Sequence, residues 1–459
     1  MRHFDVIYIV DLHGNANRQE CSPDGSKDEN VFDIKQGVCI LILVKTTNST
    51  KNAIVKRFDI YGNRDSKYTF LNASSLADIP WQEISPEAPL CLFAAEDSDM
   101  KRGFESGLPI KTLFRINGTG VLTKRDELCI HFTEQAAFDA AKDMATLPEA
   151  EVRKKYNIPK DVRDWKYDWA KKDVIESGLA VDKILPITYR PFDTRYTYYS
   201  GQSRGFMGWP VYAVMKHIIN TENIALVTAR SNKAGNSSHF FVSRYIVEYK
   251  CGERTTNSSV FPLYLCENGL LERRSNFDST YIDAVSEKLQ LQFSETSIDH
   301  ALYYSSLDLF AYIYAILYSM KYRTKYKDFL NRDFPIIPLP KDRDYFWSLV
   351  KLGRELVSVH LLDSDPYVDG VNFICDGSSL VERVNLVGDR VYINKKSYFT
   401  GVTQDLWNFL IGGYEVLQRW FKDRKGQVLS AEDVEQYKRI IRAIIFTQQI
   451  MREIDNIMD

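Results

Sequence analysis

ITYRPFDTRYTYY, residues 187–199, is a run in which β-branched and aromatic residues alternate with charged and polar ones. Such alternation is typical of a β-strand, because successive side chains of a strand point to opposite faces. Three shorter strand-like runs follow at 224–229, 240–248 and 260–265, separated by Gly, Ser and Asn. Together the four runs predict a mixed or antiparallel sheet.

The regions on either side of this predicted sheet have different sequence patterns. From residue 308 to the end, apolar residues recur at helical spacing, with one predicted hairpin near 381–393. Residues 134–178 are helix formers rich in charge, which predicts a surface-exposed connector of two or three helices carrying little chemistry. Near the start, 4–12 and 38–44 are nearly continuous apolar runs, the pattern of strands buried on both faces. The sequence therefore predicts an α+β fold.

Composition limits the function without selecting one. The 459 residues include 59 Lys and Arg against 61 Asp and Glu, so nucleic-acid binding would need a local basic face. The seven cysteines are scattered and never spaced as CxxC, which predicts reduced thiols in a cytoplasmic protein and no structural zinc. The histidines show no metal-ligand spacing, and neither a signal peptide nor a membrane span is indicated.

Three loop stretches carry polar residues that could do chemistry. DLHGN, residues 11–15, follows the first predicted strand, and ENVFDIKQGV, residues 29–38, precedes the second. Strand, polar loop and strand is a common order, so the spacing alone does not identify a site. GTGVLTKRD, residues 118–126, is a glycine-rich turn leading into a basic pair, which could hold a phosphate, although it lacks P-loop spacing.

These stretches together resemble type ISP restriction-modification enzymes. The first two loops are similar to the late motifs of amino-group DNA methyltransferases, and 118–126 is similar to the turn that leaves the methyltransferase domain. Residues 187–199 resemble the signature that opens the target-recognition region. Further matches follow in the family's order: SVFPLYL at 259–265, YIYAILYS at 312–319, DFPIIP at 333–338, LGREL at 352–356 and IGGYEVL at 411–417.

The resemblance implies three parts. Residues 1–110 would be the C-terminal part of a Rossmann-like DNA methyltransferase domain, 111–185 a helical connector, and 186–459 a mixed-sheet and largely helical target-recognition domain. The implied function is recognition of a specific sequence in duplex DNA, positioning an adenine for N6-methylation and directing restriction. The implied partners are double-stranded DNA and upstream methyltransferase, helicase and nuclease portions.

The resemblance also implies that chemistry lies elsewhere. The glycine-rich loop for S-adenosylmethionine and the Asn/Asp-Pro-Pro-aromatic loop precede the region matched here, and neither occurs in this sequence. We therefore expect no catalytic residue, no bound cofactor and no activity from this chain alone. The complete enzyme would use S-adenosylmethionine.

Candidate DNA contacts come from the same reasoning. Phe32 matches the aromatic residue that stacks on an extruded base, the alternative being core packing. Basic residues in polar loops or beside aromatics could reach phosphates or base edges, the alternatives being ordinary surface solvation, an Arg–Asp pair that fixes a turn at Asp193, and an amphipathic helix over 321–327. These candidates are Lys124, Arg125, Arg190, Arg195, Arg204, Arg230, Lys233, Arg244, Lys325 and Lys327.

Two other functions stay open. One is a scaffold subunit of a defence complex that binds protein rather than DNA. The other is a metal-dependent nuclease built on Glu248-Tyr249-Lys250, whose Glu-x-Lys form occurs in many nucleases, with Asp193 completing a magnesium site.

Overall fold

The computed structural model describes residues 3–16, 20–46, 52–86, 93, 103–232, 237–266, 273–297 and 299–458. These residues fall into two compact units, which divide the chain at Gly103. The first unit holds a small mixed sheet, and the second holds the remaining sheets and most of the helices.

The first unit is a four-stranded sheet with the order β2-β1-β3-β4. Strand β1 runs antiparallel to β2 and parallel to β3, and β4 runs antiparallel to β3. Helix α1 follows β3 and begins at Asn63, whose side chain accepts from the Ser66 amide. The elements are β1 (Val6–Asp11), β2 (Cys39–Val44), β3 (Ile54–Asp59), α1 (Arg64–Ala73) and β4 (Gln82–Ile84).

The apolar run at 38–44 does not have the burial that its sequence predicts. Ile7, Ile9 and Val10 of β1 are buried, but β2 is at the edge of the described sheet and pairs with β1 alone. Leu41 of β2 is 50% exposed. The prediction of two strands buried on both faces is therefore wrong for β2 among the described residues. None of the six residues of β2 is buried, so the described elements cover neither of its faces.

The second unit begins with short elements and then the predicted connector. Helices α4 to α6 confirm the helical prediction for 134–178, but Ala137, Ala140 and Met144 join the same core as the sheet that follows. The connector therefore packs with the rest of its unit. The elements are β5 (Leu108–Pro109), α2 (Ile110–Leu113), β6 (Gly118–Thr119), α3 (Asp126–Cys129), α4 (Glu134–Thr146), α5 (Glu149–Lys155) and α6 (Tyr167–Ser177).

The strand-like runs after residue 184 form several small sheets. Strands β7 and β8 make an antiparallel hairpin with β11 parallel to β7, and a second sheet has the antiparallel order β10-β9-β12-β6. The prediction of a mixed or antiparallel sheet is confirmed in this divided form. The elements are β7 (Ile184–Arg190), β8 (Asp193–Tyr198), α7 (Tyr212–Met215), β9 (Ala225–Ala229), β10 (Phe241–Ser243), β11 (Ile246–Val247), β12 (Ser258–Pro262), β13 (Tyr264–Cys266) and β14 (Arg273–Ser275).

Helices dominate the chain from residue 279 onward. Helix α9 is buried along nearly its whole length, and Gly353 of α12 lies so close to it that a β-carbon would sit 1.9 Å from the Ala311 carbonyl oxygen. The helices and short strands here are α8 (Ser279–Leu289), β15 (Gln292–Phe293), β16 (Tyr303–Tyr304), α9 (Ser306–Tyr318), α10 (Met320–Lys325), α11 (Lys327–Leu330), β17 (Ile336–Ile337) and α12 (Arg343–His360).

The last hundred residues contain the predicted hairpin. Strands β19 and β20 pair antiparallel and belong to a small sheet with the order β18-β21-β20-β19, which confirms the hairpin prediction. The elements are β18 (Phe373–Ile374), β19 (Asn385–Val387), β20 (Arg390–Tyr392), β21 (Tyr398–Phe399), α13 (Gln404–Trp407), β22 (Leu410–Ile411), β23 (Tyr414–Glu415), α14 (Val416–Lys422) and α15 (Ala431–Ile457). Within the described part of the chain, no helix is both long and apolar enough to cross a membrane.

Candidate nucleic-acid interface

Two of the predicted DNA contacts lie in the interior. Arg190, the last residue of β7, and Arg195, the third residue of β8, are each 7% exposed. Nη1 of Arg190 donates to Oε2 of Glu248 at 2.6 Å, and the guanidinium lies 3.7 Å from the centroid of the Tyr189 ring. Nη2 of Arg195 donates to Asp193 at 2.8 Å. Direct DNA contact by these two arginines does not fit the described structure, because both are buried in ion pairs.

The same ion pairs connect the hairpin to the C-terminal helices. Asp193 also accepts from Nη2 of Arg424 at 3.2 Å, and Arg195 donates to Asp423 at 2.7 Å. The Phe132 ring lies within 5.0 Å of both the Arg195 and Arg424 guanidinium carbons. The alternative reading of Asp193, an Arg–Asp pair that fixes a turn, describes this arrangement. We name Phe132, Asp193, Arg195, Asp423 and Arg424 the hairpin–helix network.

The structure gives no support to the nuclease alternative. Burial raises the pKa of Glu248 to about 7 although Arg190 opposes that shift, and the Glu248 carboxylate accepts from Arg190 and from the Lys250 amide. Nζ of Lys250 donates to Asn257 at 2.6 Å instead of facing a metal site. The two carboxylates of the proposed magnesium site, Asp193 and Glu248, are therefore each engaged by arginine.

A second group of candidates lies on the surface around the end of β9. The Arg230 side chain is 72% exposed and contacts Asp333 at 3.2 Å. The Asn232 amide donates to the Asn331 carbonyl at 3.3 Å, which places this loop against the segment that contains α10 and α11. Lys233 lies outside the described residues.

Lys325 and Lys327 lie on that neighbouring segment. Both are exposed, whereas Tyr322 is buried and donates its hydroxyl to the Ile336 carbonyl at 2.8 Å. The segment is therefore amphipathic, with this tyrosine inward and the lysines outward. Arg230, Lys325 and Lys327 form what we call the Arg230 surface.

Arg244 occupies a different environment. It is half-buried, and its Nη2 donates to Asp363 at 2.5 Å. It also lines an open cavity of about 720 Å³, together with Asn223, Tyr264 and Arg273. Arg244 is therefore paired with an acid at the wall of a cavity.

The remaining candidates, Lys124, Arg125 and Arg204, lie beside tryptophans. Arg125 is half-buried, with its guanidinium carbon 4.6 Å from the centroid of the Trp165 ring, whereas Lys124 is exposed. Arg204 is exposed, and its guanidinium carbon lies 5.8 Å from the ring centroids of both Trp169 and Trp209.

The two tryptophans beside Arg204 were not among the predicted site residues. Trp209 is 40% exposed, and the Lys166 ammonium lies 4.8 Å from the centroid of the Trp169 ring. Residues 153–172 contain eight Lys and Arg against three Asp, together with two tryptophans. This local excess of positive charge beside tryptophans was the sequence signal that could have identified a binding surface, although the region was expected to carry little chemistry.

In the first unit, Phe32 is at the surface. Its side chain is 55% exposed, so the alternative of core packing is wrong, and base stacking stays a prediction. Its loop is firmly held: the Phe32 amide donates to Asn30 Oδ1 at 2.8 Å, and Asn30 donates to the Gly14 carbonyl at 3.1 Å. The fully buried Lys67 donates to the Leu12 and Glu29 carbonyls, both at 2.7 Å.

A polar cluster lies at the ends of β1 and β3. Ligand atoms of Asp11, His13 and Asp59 lie within 4.8 Å of one another, the one such group of possible metal ligands in the described part of the chain. Burial lowers the pKa of His13, but hydrogen bonds to Asp59 and Glu20 outweigh it and raise the value to about 9. Arg57 donates to Asp11 at 2.8 Å and to Asp59 at 2.6 Å. These two cations satisfy the carboxylates, so the cluster is an ion-pair network.

Comparison with known proteins identifies the second unit. The family described as "Type ISP C-terminal specificity domain" matches residues 112–453. No curated protein matches the sequence. The family match confirms the resemblance to type ISP enzymes that the motifs after residue 112 indicated.

Three solved structures are similar in fold. A DrdV–DNA complex shares 22% identity at a TM-score of 0.67, covering 98% of this chain and 48% of that chain. A nuclease-deletion mutant of the Type ISP restriction-modification enzyme LlaGI, in complex with a DNA substrate mimic, shares 20% identity at a TM-score of 0.65. That match covers 98% of this chain and 37% of that chain. The ATP-dependent Type ISP restriction-modification enzyme LlaBIII, bound to DNA, shares 18% identity at a TM-score of 0.67. That match covers 100% of this chain and 31% of that chain.

The chain spans less than half the length of each of these proteins. At such identities the likeness is one of fold, and it extends over nearly the whole of this chain. The family match itself covers well over half of the chain. The chain therefore belongs to the Type ISP C-terminal specificity domain family.

Proposed function

We propose that this chain recognises a specific sequence in duplex DNA on behalf of a restriction-modification enzyme. The observation that carries the proposal is the family match over residues 112–453, whose description is a specificity domain. The three similar structures were all solved with DNA or a DNA mimic. A net charge of −2 gives no general attraction to phosphate, so binding would depend on local basic surfaces.

The Arg230 surface is the first place where such binding would occur. Its three cations project from a loop and a neighbouring amphipathic segment, and Arg230 has its guanidinium mostly in solvent. A loop cation can reach base edges as well as phosphates, whereas lysines on a short helical segment suit the phosphate backbone. We infer that Arg230 contributes to base reading and that Lys325 and Lys327 contribute to holding the duplex.

We propose that residues 1–110, a range that contains the first unit and a few residues of the second, are the C-terminal part of a methyltransferase domain. The support is a mixed sheet with one parallel pair and an exposed Phe32 on a braced loop between β1 and β2. An aromatic face in that position would stack on an extruded adenine and offset part of the cost of unstacking it. Upstream portions would supply the S-adenosylmethionine site and the catalytic loop, and the chain alone would be inactive.

The proposal is tested by selecting bound duplexes from a pool with a randomised segment, then sequencing them. We expect a short consensus to be enriched, and we expect the logarithm of affinity for that duplex to fall linearly with the logarithm of salt concentration, because phosphate contacts release counterions. Binding without enrichment would leave a nonspecific DNA-binding protein. No binding at low salt would contradict the proposal and favour the scaffold alternative.

A further inference from the structure

The loop between β8 and α7 is held rigidly against the connector helices. The Asp173 carboxylate of α6 is buried and accepts from the Phe206 amide at 2.7 Å and from the Ser200 hydroxyl at 2.8 Å. Nε1 of Trp165 donates to the Phe206 carbonyl at 3.1 Å. A β-carbon on Gly205 would lie 2.2 Å from the Asp173 carboxylate, so the approach is close. The loop therefore has a fixed backbone from which side chains can be presented.

Arg204 in this loop has an unfavourable backbone conformation. Its φ is +56°, in the left-handed region where a β-carbon is disfavoured, and its amide is fixed by a bond to the Gly208 carbonyl at 2.9 Å. Lys124 nearby has a φ of +66°. Non-glycine residues in this region persist where the surrounding structure imposes them, often at functional sites. Arginine thus occupies a position whose backbone favours glycine, which points to a use for its side chain.

The guanidinium of Arg204 is positioned and available for a ligand. Its central carbon lies close to both the Trp169 and Trp209 rings, 5.8 Å from each centroid. Within the described ranges it has no hydrogen-bond partner, and it is exposed. Flanking aromatic rings restrict a guanidinium while leaving its N–H edge free to donate.

The charge around Arg204 favours an anionic partner. Lys124 and Lys166 are exposed beside it. Asp164, a carboxylate that interacts electrostatically with Arg204, also pairs with Arg163 at 3.0 Å and lies 3.8 Å from Lys124. The acid is therefore largely compensated within the surface. We name Lys124, Lys166, Trp169, Arg204 and Trp209 the Trp–Arg patch.

We propose that the Trp–Arg patch contacts the sugar-phosphate backbone of duplex DNA, with Arg204 donating two parallel hydrogen bonds to one phosphate. A planar guanidinium fork matches the geometry of phosphate oxygens, and the preset position of Arg204 lowers the entropic cost of that contact. This inference rests on the proposed DNA-binding function and adds a phosphate site separate in sequence from the Arg230 surface.

The test compares three substitutions at Arg204 in salt titrations of two duplexes, the selected consensus and a scrambled sequence. Arg204→Ala should weaken both duplexes alike and reduce the slope of log affinity against log salt by about one, because one phosphate contact is lost. Arg204→Lys should keep most of that slope and still bind more weakly, because lysine retains the charge but lacks the fork.

Arg204→Gly separates binding from folding. It should behave like Arg204→Ala on DNA while its thermal midpoint stays at or above that of the original protein, because glycine accepts a positive φ. Lys288→Ala, an exposed charge on α8 outside both surfaces, is the matched control and should leave the slope unchanged.

Two results would overturn the inference while leaving DNA binding intact. One is an unchanged salt slope in Arg204→Ala. The other is a loss confined to the selected duplex, which would show a base contact instead of a backbone contact. If the original protein binds neither duplex at low salt, the proposed function itself fails, and that outcome is recognised before any variant is compared.

Discussion

At the scale of single residues, the predicted arginines divide according to their partners. Arg190 and Arg195 each have buried carboxylates within hydrogen-bond distance, whereas Arg204 has aromatic rings and open solvent. Sequence alternation shows which side chains share a strand face, but it does not show which face is covered. The partners Glu248 and Asp423 lie 58 and 228 residues away, so no local pattern announces them.

His13 gives a prediction about pH at the same scale. Its pKa is raised from 6.5 to about 9, so its ion pairs stabilise the first unit fully below pH 6.5 and are lost as the pH rises through 9. We expect the first unit to lose about 2 kcal/mol across that range, after allowing for partial screening by solvent. Hydrogen exchange of the β1 and β3 amides would measure this change.

His13→Gln is the control for that titration, because glutamine keeps hydrogen-bonding capacity without a charge that titrates. At pH 6.5 the first unit of the variant should already have the lower free energy of unfolding that the original protein reaches only when His13 loses its charge. That free energy should change little between pH 6.5 and 9. An equal pH dependence in both proteins would show that another group causes it.

At the scale of elements, helical periodicity was the most informative feature of the sequence. Helices α9, α12 and α15 and the β19–β20 hairpin occur where the patterns predict them. The exposure of β2 was not predictable, because an apolar run shows that a strand can be buried but not which elements cover it. Lys124 and Arg204 of the Trp–Arg patch were predicted, but its tryptophans were missed because they belong to a helix and a loop on opposite sides of the β7–β8 hairpin in sequence.

The hairpin–helix network gives a prediction about how those elements hold together. Asp193→Asn leaves Arg424 and Arg195 without one of their buried carboxylates, which we expect to lower the free energy of unfolding by about 3 kcal/mol. Six of the seven tryptophans lie in the second unit, so their fluorescence during urea denaturation reports on it. Asp363→Asn breaks a more solvent-accessible pair, with the half-buried Arg244, and should cost less than about 1 kcal/mol. Equal losses would mean that the buried pairs contribute no more than surface ones.

At the scale of the whole molecule, function depends on how charge is distributed. The total of −2 conceals the Arg230 surface and the Trp–Arg patch, each assembled from separate parts of the sequence within the second unit. A protein with this charge distribution binds through a few defined contacts, so single substitutions should have measurable effects on affinity and on its dependence on salt.

The hairpin–helix network also determines where specificity can be exchanged between relatives. Recombination at Gly103 would transfer the second unit with Asp193 and Arg424 still matched, whereas a crossover near residue 300 would join a hairpin from one parent to a helix from another. We expect the second unit of chimaeras of the first kind to unfold in one cooperative transition and that of the second kind to melt earlier or precipitate, as differential scanning calorimetry would show. Equal melting temperatures for both kinds would contradict this expectation and would show that the parts on either side of residue 300 can be exchanged independently. If the chimaeras instead differ as expected, new target specificities arise by exchange of the second unit as one block, because a crossover within it separates buried charges that stabilise each other.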